Sequence, residues 1–386
     1  MQTEENAAGR RPGVAQRAKV GGRGTRVTGM HPRAITGDQV PALLAEVLDG
    51  GRPIAVLAGA APSAWRLDEP LEAGAAVLIG TSGSTGDPKG VLLTADAIRA
   101  SAAATHDRLG GPGTWVCPLP MHYVAGLMTA ARAAVAGTEV LVAPSDLSLL
   151  PAPDGRSYLS LVAAQLHRAL EQPAITSALA LFDAVLVGGS AIPAGLLRRG
   201  RDAGITLVAT YGMAETCGGC VYDGVPLGGV RLDFDPGERI LITAPQVFAG
   251  YRFDPVATAA ALDGRTLRTQ DRGRWRDGRL QVLGRVDDVV VTGGINVDLA
   301  QAQRACDEAF GPSTVGLLGV PDERWGVRIV ALSAADLPLD ELRDRLARSL
   351  QPVAVPREVR RVAGLPRTST GKIDRQGLRR MWAEGS

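Results

Sequence analysis

The sequence predicts an α/β fold: a large N-terminal domain of parallel sheets with helices and an antiparallel subdomain, followed by a small α+β C-terminal domain. Three observations predict it. From about Pro41, short Val/Ile/Leu runs alternate with amphipathic stretches, the pattern of parallel strands covered by helices. After Gly228 the texture changes to short strands and Gly/Asp/Arg turns, which predicts an antiparallel subdomain reaching to about Gly284. The 386 residues exceed one ordinary domain and suit a large domain with a smaller companion. The expected boundaries are a disordered basic leader over 1–30, an N-terminal domain over 31–284 and a C-terminal domain over 285–386.

The elements follow in order. Ala76 to Ile79 reads as a buried strand and Val91 to Leu93 as another, after which Thr94 N-caps a helix through Arg108 that stops at Gly110-Gly111. A strand at Trp115 to Pro118, a helix from Val124 to Ala136 ending at Gly137 and a strand at Glu139 to Val142 continue the rhythm. Residues 143–156 form a loop. Ser157 to Val162 leads into a helix near Ala163 to Glu171, and the strand Ala184 to Val187 turns through Gly188-Gly189-Ser190 into a helix begun by Pro193. Ile205 to Thr210 is one more strand. Beyond 285, strands are expected at Val289 to Thr292, Val315 to Val320 and Val327 to Leu332. Helices are expected at Leu299 to Phe310 and Leu339 to Ser349, with an exposed ending.

Composition narrows the function classes. Hydrophobic residues at 45% and charged residues at 21% describe a soluble globular chain. No apolar run approaches membrane-spanning length. With 42 basic against 40 acidic residues, net charge predicts neither a nucleic-acid nor a membrane partner. Lysine, however, occurs only at Lys19, Lys89 and Lys372, and every other basic residue is Arg. Four scattered cysteines make no disulfide scaffold and fit a reducing cytoplasm. The leader is basic but lacks the apolar core of a signal peptide.

The most specific segment is Thr81-Ser82-Gly83-Ser84-Thr85-Gly86-Asp87-Pro88-Lys89-Gly90, directly after a buried strand. Hydroxyls and glycines there can fold backbone N–H groups around phosphate oxygens, with one Lys to meet their charge. A Walker A loop has the same Gly83-to-Lys89 distance, but it needs Gly in place of Pro88, Ser or Thr in place of Gly90, and a helix where Val91 to Leu93 reads as a strand.

This loop resembles the signature of the acyl-adenylate-forming superfamily, and further matches follow in order from about residue 75 to 375. Tyr211-Gly212-Met213-Ala214-Glu215-Thr216 is similar to the motif whose aromatic ring packs on adenine and whose Glu holds Mg²⁺. Gly188-Gly189-Ser190-Ala191 resembles the turn along which the adenine lies. Gly237-Glu238 and Gly250-Tyr251 fit the next motif, and Thr269-Gln270-Asp271 the one whose Asp grips both ribose hydroxyls. Gly284-Arg285-Val286-Asp287-Asp288 matches the hinge, with Asp287 as pivot, and Gly293-Gly294 the loop that enters the site for thioester formation. Pro366-Arg367-Thr368-Ser369-Thr370-Gly371-Lys372-Ile373 matches the catalytic-lysine motif.

The resemblance implies an AMP-forming ligase with a mobile C-terminal domain, using ATP, Mg²⁺ and CoA. Adenylation brings a carboxylate against the α-phosphate, and two anions repel until cations offset their charge. Mg²⁺ on Glu215, Lys89 at the outgoing pyrophosphate and Lys372 beside the carboxylate would supply that offset. A compact ammonium can reach between two oxygens where a broad guanidinium cannot. The sequence departs from the pattern in two places. Ala214 replaces the usual hydroxyl residue before the Glu, with Thr216 the nearest hydroxyl that could compensate, and the region before the phosphate loop is short.

His122, in Leu119-Pro120-Met121-His122-Tyr123, occupies the position that lines the acyl pocket in this superfamily. Met213 and Cys217 are expected beside it, the Cys217-Gly218-Gly219-Cys220 run shaping the pocket floor rather than binding metal. The short N-terminal region, residues 121–127 and Tyr211 through Asp223 resemble the compact actinobacterial form of the o-succinylbenzoate:CoA ligase family of menaquinone biosynthesis. The implied substrate is a small aromatic dicarboxylate, whose second carboxylate needs a cation; Arg132 is one candidate, and a helix-surface Arg without a site role is the other reading. Another aryl- or acyl-CoA ligase, an enzyme loading a carrier protein, and a non-catalytic nucleotide binder are the alternatives. A homodimer is compatible with the sequence.

Overall fold

The computed structural model describes residues 29–81, 89–152, 155–311, 314–367 and 373–384. The predicted leader up to residue 28, the phosphate-loop residues 82–88 and Lys372 lie outside the described residues.

Two sheets build the N-terminal part. The first is five-stranded, in the order Arg33–Thr36, Ile54–Leu57, Ala75–Gly80, Gly90–Thr94, Gly250–Tyr251. Its first three strands are parallel; the last two run antiparallel to their neighbours. Ala75–Gly80 and Gly90–Thr94 therefore pair antiparallel, and the phosphate-loop segment lies between them in the chain. The second sheet has seven strands, ordered Val225–Pro226, Gly218–Tyr222, Leu207–Met213, Ala184–Gly188, Ser157–Val162, Thr114–Cys117, Val140–Val142. The five from Leu207–Met213 onward are parallel, as the alternating strand and helix pattern predicts.

Helices Val40–Leu48, Ala95–Leu109 and Val124–Ala136 fill the space between the sheets, and one core unites Leu44, Val77, Leu93, Ile98, Leu127, Cys117 and Val221. Burying the Leu, Ile and Val side chains of such a core contributes about 1.5–3 kcal/mol each. The helix starts and stops follow local chemistry. Thr94 Oγ1 accepts from Ala97 N–H at 3.0 Å, and Gly110 closes the same helix at φ 90. Gly137 closes the next at φ 69.

The predicted antiparallel subdomain is a sheet of Arg231–Phe234, Arg239–Thr243 and Thr266–Arg276, extended by Leu262–Asp263 and Arg279–Arg285. In the C-terminal part, strands Val289–Thr292, Ile295–Asp298, Val315–Asp322, Gly326–Ser333 and Val359–Arg361 carry helices Leu299–Phe310 and Leu339–Leu346. Arg272 joins the two parts, bonding Glu238 at 2.7 Å and Asp298 at 3.3 Å. Arg304 donates to the Leu283 carbonyl at 2.8 Å.

Three expectations need correction. The order begins before Pro41, with a strand at Arg33–Thr36 too short and too polar to show in the hydrophobic pattern. The helix predicted to run to Glu171 ends at Ala169, and a second helix, Pro173–Leu179, starts with Pro at its first position. The ending is not exposed: Arg375–Glu384 is a helix that buries Leu378 and Trp382 against Leu318, Val330 and Leu332.

Candidate active site

Thr81 N–H donates to the Lys89 carbonyl at 3.1 Å, which brings together the two residues that flank positions 82–88 in the chain. The exposed Lys89 side chain has its ammonium 4.9 Å from the centre of the Tyr251 ring, a cation–π contact. Tyr251 is fixed by strand pairing with Val91, two residues beyond Lys89.

Glu215 sits in the 3-10 turn Ala214–Thr216, where Leu207–Met213 doubles back into Gly218–Tyr222. The turn needs its glycines: a Cβ at Gly212 would lie 2.0 Å from the Gly218 carbonyl oxygen. The Thr216 hydroxyl is fully buried, accepts from Met213 N–H at 2.9 Å and donates to the Gly218 carbonyl at 2.7 Å. It is committed to holding the turn, so it does not replace the hydroxyl missing at Ala214. Glu215 Oε1 accepts a 2.8 Å hydrogen bond from the Tyr251 hydroxyl. Burial and the Glu215 charge push that phenol well above its ordinary pKa.

Tyr211, on the strand entering the same turn, donates to Asp271 Oδ2 at 2.9 Å. Burial and then the Asp271 charge raise the Tyr211 pKa well above its usual value. Asp271 pairs across the sheet with Arg285. Burial opposes the charge of Arg285, but hydrogen bonding and charge from Asp287, then the charges of Asp271 and Glu215, raise its pKa overall. Burial would likewise raise Asp287; the two bonds from Arg285, at 2.8 and 3.1 Å, outweigh it and hold the carboxyl below its usual range. Next along the hinge turn, the buried Asp288 is paired with Arg375 of the last helix, whose own pKa burial lowers to about 10.

A cleft opens beside this group. Gly188, Gly189 and Gly212 line it together with Gly218, Gly219, Met128, Ser160, Tyr222 and Arg132. Gly189 has φ +81 and lets its turn close on the strand ends. Arg132, on Val124–Ala136, is only 4% exposed, with its guanidinium 4.9 Å from the Trp115 ring and 3.5 Å from the Tyr222 hydroxyl. Its Nε has no hydrogen-bond partner, and no ion pair among the described residues involves it.

The structure thus gathers Lys89, Glu215, Tyr211, Asp271 and Arg285 around one region, with Gly189 and Gly212 lining the adjoining cleft and Ser190 next to Gly189 in the turn. His122 is not among the cleft-lining residues; its ring packs at a tilt against Tyr123, with centroids 4.3 Å apart, and Leu119 and Val124 on either side of it form the wall. Cys217 is wholly buried beneath the glycines, and burial pushes its thiol pKa up and that of Cys220 up to about 12, which makes both inert packing groups. Gly293 and Gly294 are exposed, with Gly293 against Trp325 of the C-terminal part rather than in the cleft. The Tyr251 hydroxyl was not expected from the sequence; its place in a Gly-Tyr pair was the only signal.

Among the described residues no cluster of three His, Cys, Asp or Glu could cage a metal ion. Mg²⁺ commonly takes one or two carboxylates with the rest of its shell from phosphate and water, and Glu215, linked to Lys89 through Tyr251, fits that demand.

The AMP-binding enzyme family model matches residues 37–251, and the AMP-binding enzyme C-terminal domain model residues 313–372. A Mycobacterium tuberculosis protein named probable 2-succinylbenzoate–CoA ligase is 43% identical over 337 residues, 83% of this chain and 88% of that one. A 2-succinylbenzoate–CoA ligase of Listeria monocytogenes is 29% identical, covering 79% of this chain and 70% of its own. The o-succinylbenzoate CoA synthetase of Bacillus subtilis, solved with its acyl-adenylate intermediate, superposes with a TM-score of 0.70 at 22% identity, over 88% of this chain and 80% of that one. This last likeness shows the fold. No helix among the described residues is long and apolar enough to cross a membrane.

Proposed function

Because the chain belongs to the AMP-binding enzyme family, we propose that it is an ATP-dependent acid–thiol ligase that converts o-succinylbenzoate to its CoA thioester through an acyl-adenylate. In the first step a carboxylate oxygen attacks the α-phosphorus, the bond from that phosphorus to the bridging oxygen breaks, and pyrophosphate leaves. In the second the CoA sulfur attacks the acyl carbon and the bond to AMP breaks.

The residues divide the work by position. Asp271, oriented by Tyr211, accepts from the ribose hydroxyls, and the Gly189–Ser190 turn lies along the adenine. Lys89 meets the departing pyrophosphate, and Glu215 holds Mg²⁺, which offsets phosphate charge when bound. Lys372 serves the adenylation step. Rotation at Asp287, whose carboxylate is gripped by Arg285, exchanges Lys372 for Gly293-Gly294 when CoA enters. The domains of this reading are 31–284 and 285–386, with the mobile unit after the hinge.

One observation carries the substrate class. Arg132 is a buried guanidinium facing the acyl cleft without an acidic partner, and leaving a buried charge uncompensated is costly. A ligand carboxylate in the cleft would complete it, which favours an acid with a second carboxylate, as o-succinylbenzoate has. Pyrophosphate exchange across a panel of acids tests this. Stimulation by o-succinylbenzoate above benzoate and fatty acids is expected; stimulation by those acids but not by o-succinylbenzoate would overturn the substrate.

A further inference from the structure

The geometry points to Tyr251 as a positioning residue that couples the Mg²⁺ ligand to the pyrophosphate cation, a role that rests on the proposed adenylation reaction. Its hydroxyl donates to Glu215 Oε1 at 2.8 Å, which leaves Oε2 for a metal ion. Its ring lies 4.9 Å from the Lys89 ammonium. One side chain therefore touches both groups that must act on the same triphosphate.

Tyr251 is held where it can do this. Its backbone pairs with Val91, its N–H donates to Thr258 Oγ1 at 2.9 Å, and its ring meets Phe248 edge-on at 4.9 Å. Phe248 in turn donates its N–H to the Glu215 carbonyl at 2.9 Å, so the backbone of the metal-ligand turn and the ring of Tyr251 share one support. The next residue, Arg252, anchors the strand. Its side chain is fully buried and donates to the carbonyls of Trp65, Arg66, Glu69 and Pro70 and to Glu72, while its N–H donates to the Gly90 carbonyl at 2.8 Å. The strand that follows Lys89, the turn of Glu215 and the strand of Tyr251 are thus locked to one another before any ligand arrives.

A hydrogen bond to the far oxygen of a ligating carboxylate fixes its orientation, and losing such outer partners commonly costs about 10–100-fold in metal affinity. Tyr251→Phe removes the hydroxyl and keeps the ring; Tyr251→Leu removes both.

Calorimetric titration of the full chain with ATP, in Mg²⁺ and in EDTA, reads the effect without any acid substrate. Tyr251→Phe is expected to weaken binding of Mg²⁺·ATP by about 10-fold or more and to leave ATP binding in EDTA within about twofold. Tyr251→Leu is expected to weaken both, by a further few-fold from the lost ring. In a Glu215→Gln background Tyr251→Phe should change Mg²⁺·ATP binding by less than about twofold, because the group it acts through is gone. An unchanged Mg²⁺·ATP affinity in Tyr251→Phe, or an equal loss in EDTA, would overturn the role. The two readings fail separately: inactivity on o-succinylbenzoate with the predicted binding differences intact removes the substrate only, whereas wild-type protein that binds no Mg²⁺·ATP removes both.

Discussion

The Tyr211 hydroxyl donates a 2.9 Å hydrogen bond to Asp271 Oδ2, joining the strand that enters the Glu215 turn to the antiparallel subdomain 60 residues away. Asp271→Ala should raise the KM for ATP by about 10–100-fold, since hydrogen bonds to a charged group contribute about 1.5–3 kcal/mol. Tyr211→Phe keeps the ring and should raise it only a few-fold. Steady-state kinetics with ATP varied distinguishes the two; a larger effect from the phenylalanine variant would contradict the assignment of the ribose contact to Asp271.

Arg132 separates substrates by their second carboxylate. Arg132→Met should lower kcat/KM for o-succinylbenzoate by about 10²–10⁴-fold, as removing one partner of a buried ion pair costs about 3–5 kcal/mol. Turnover of 4-oxo-4-phenylbutanoate, which lacks the ring carboxylate, should change little. A uniform loss on both acids would place Arg132 in the packing of Trp115 and Tyr222 alone.

Lys372→Ala should slow adenylation by about 10²–10³-fold or more, with much less effect on thioester formation from supplied acyl-adenylate. Single-turnover measurement of each half-reaction checks it. Equal loss in both halves would undo the exchange of Lys372 for Gly293-Gly294.

The strand and helix rhythm is legible in the sequence wherever hydrophobic periodicity is strong, as in Ala75–Gly80 and Ala95–Leu109, and where a cap gives a sharp end, as at Gly110. Arg33–Thr36 is not, because its four residues alternate too briefly to register, nor is the last helix, whose Leu378 and Trp382 stand among charges. In the site, Lys89, Glu215 and Asp271 were legible because their neighbours form motifs. The Tyr251 hydroxyl and the Arg252 cage were not, because their partners lie far off in the chain, Glu215 36 positions from Tyr251 and Trp65 187 from Arg252. Arg132 could not be told from a surface arginine until its burial was known.

The final helix also makes a stability prediction. Trp382 is 7% exposed and Leu378 fully buried against the C-terminal sheet. Trp382→Ala should destabilise by about 3–5 kcal/mol in urea unfolding of the C-terminal part. An effect under about 0.5 kcal/mol, the range of surface substitutions, would mean the tail is not packed.

The cysteines give a pH test. Burial raises all four thiols, Cys220 and Cys306 to about 12, so the folded chain keeps protons that the unfolded chain releases above pH 9. Stability is therefore full below about pH 9 and falls as pH rises toward 12. Iodoacetamide at pH 8 should leave the native protein unmodified and label it on denaturation, read by intact mass. Rapid native labelling at Cys217 or Cys220 would contradict their burial.

The most direct measurement is product formation by the purified chain given o-succinylbenzoate, ATP, Mg²⁺ and CoA, with AMP and the acyl-CoA thioester quantified together. One AMP and one thioester are expected per turnover, with thioester formed at least about 10²-fold more slowly by the Lys372→Ala variant under the same conditions. AMP and thioester from other acids, with none from o-succinylbenzoate, would contradict the proposed function.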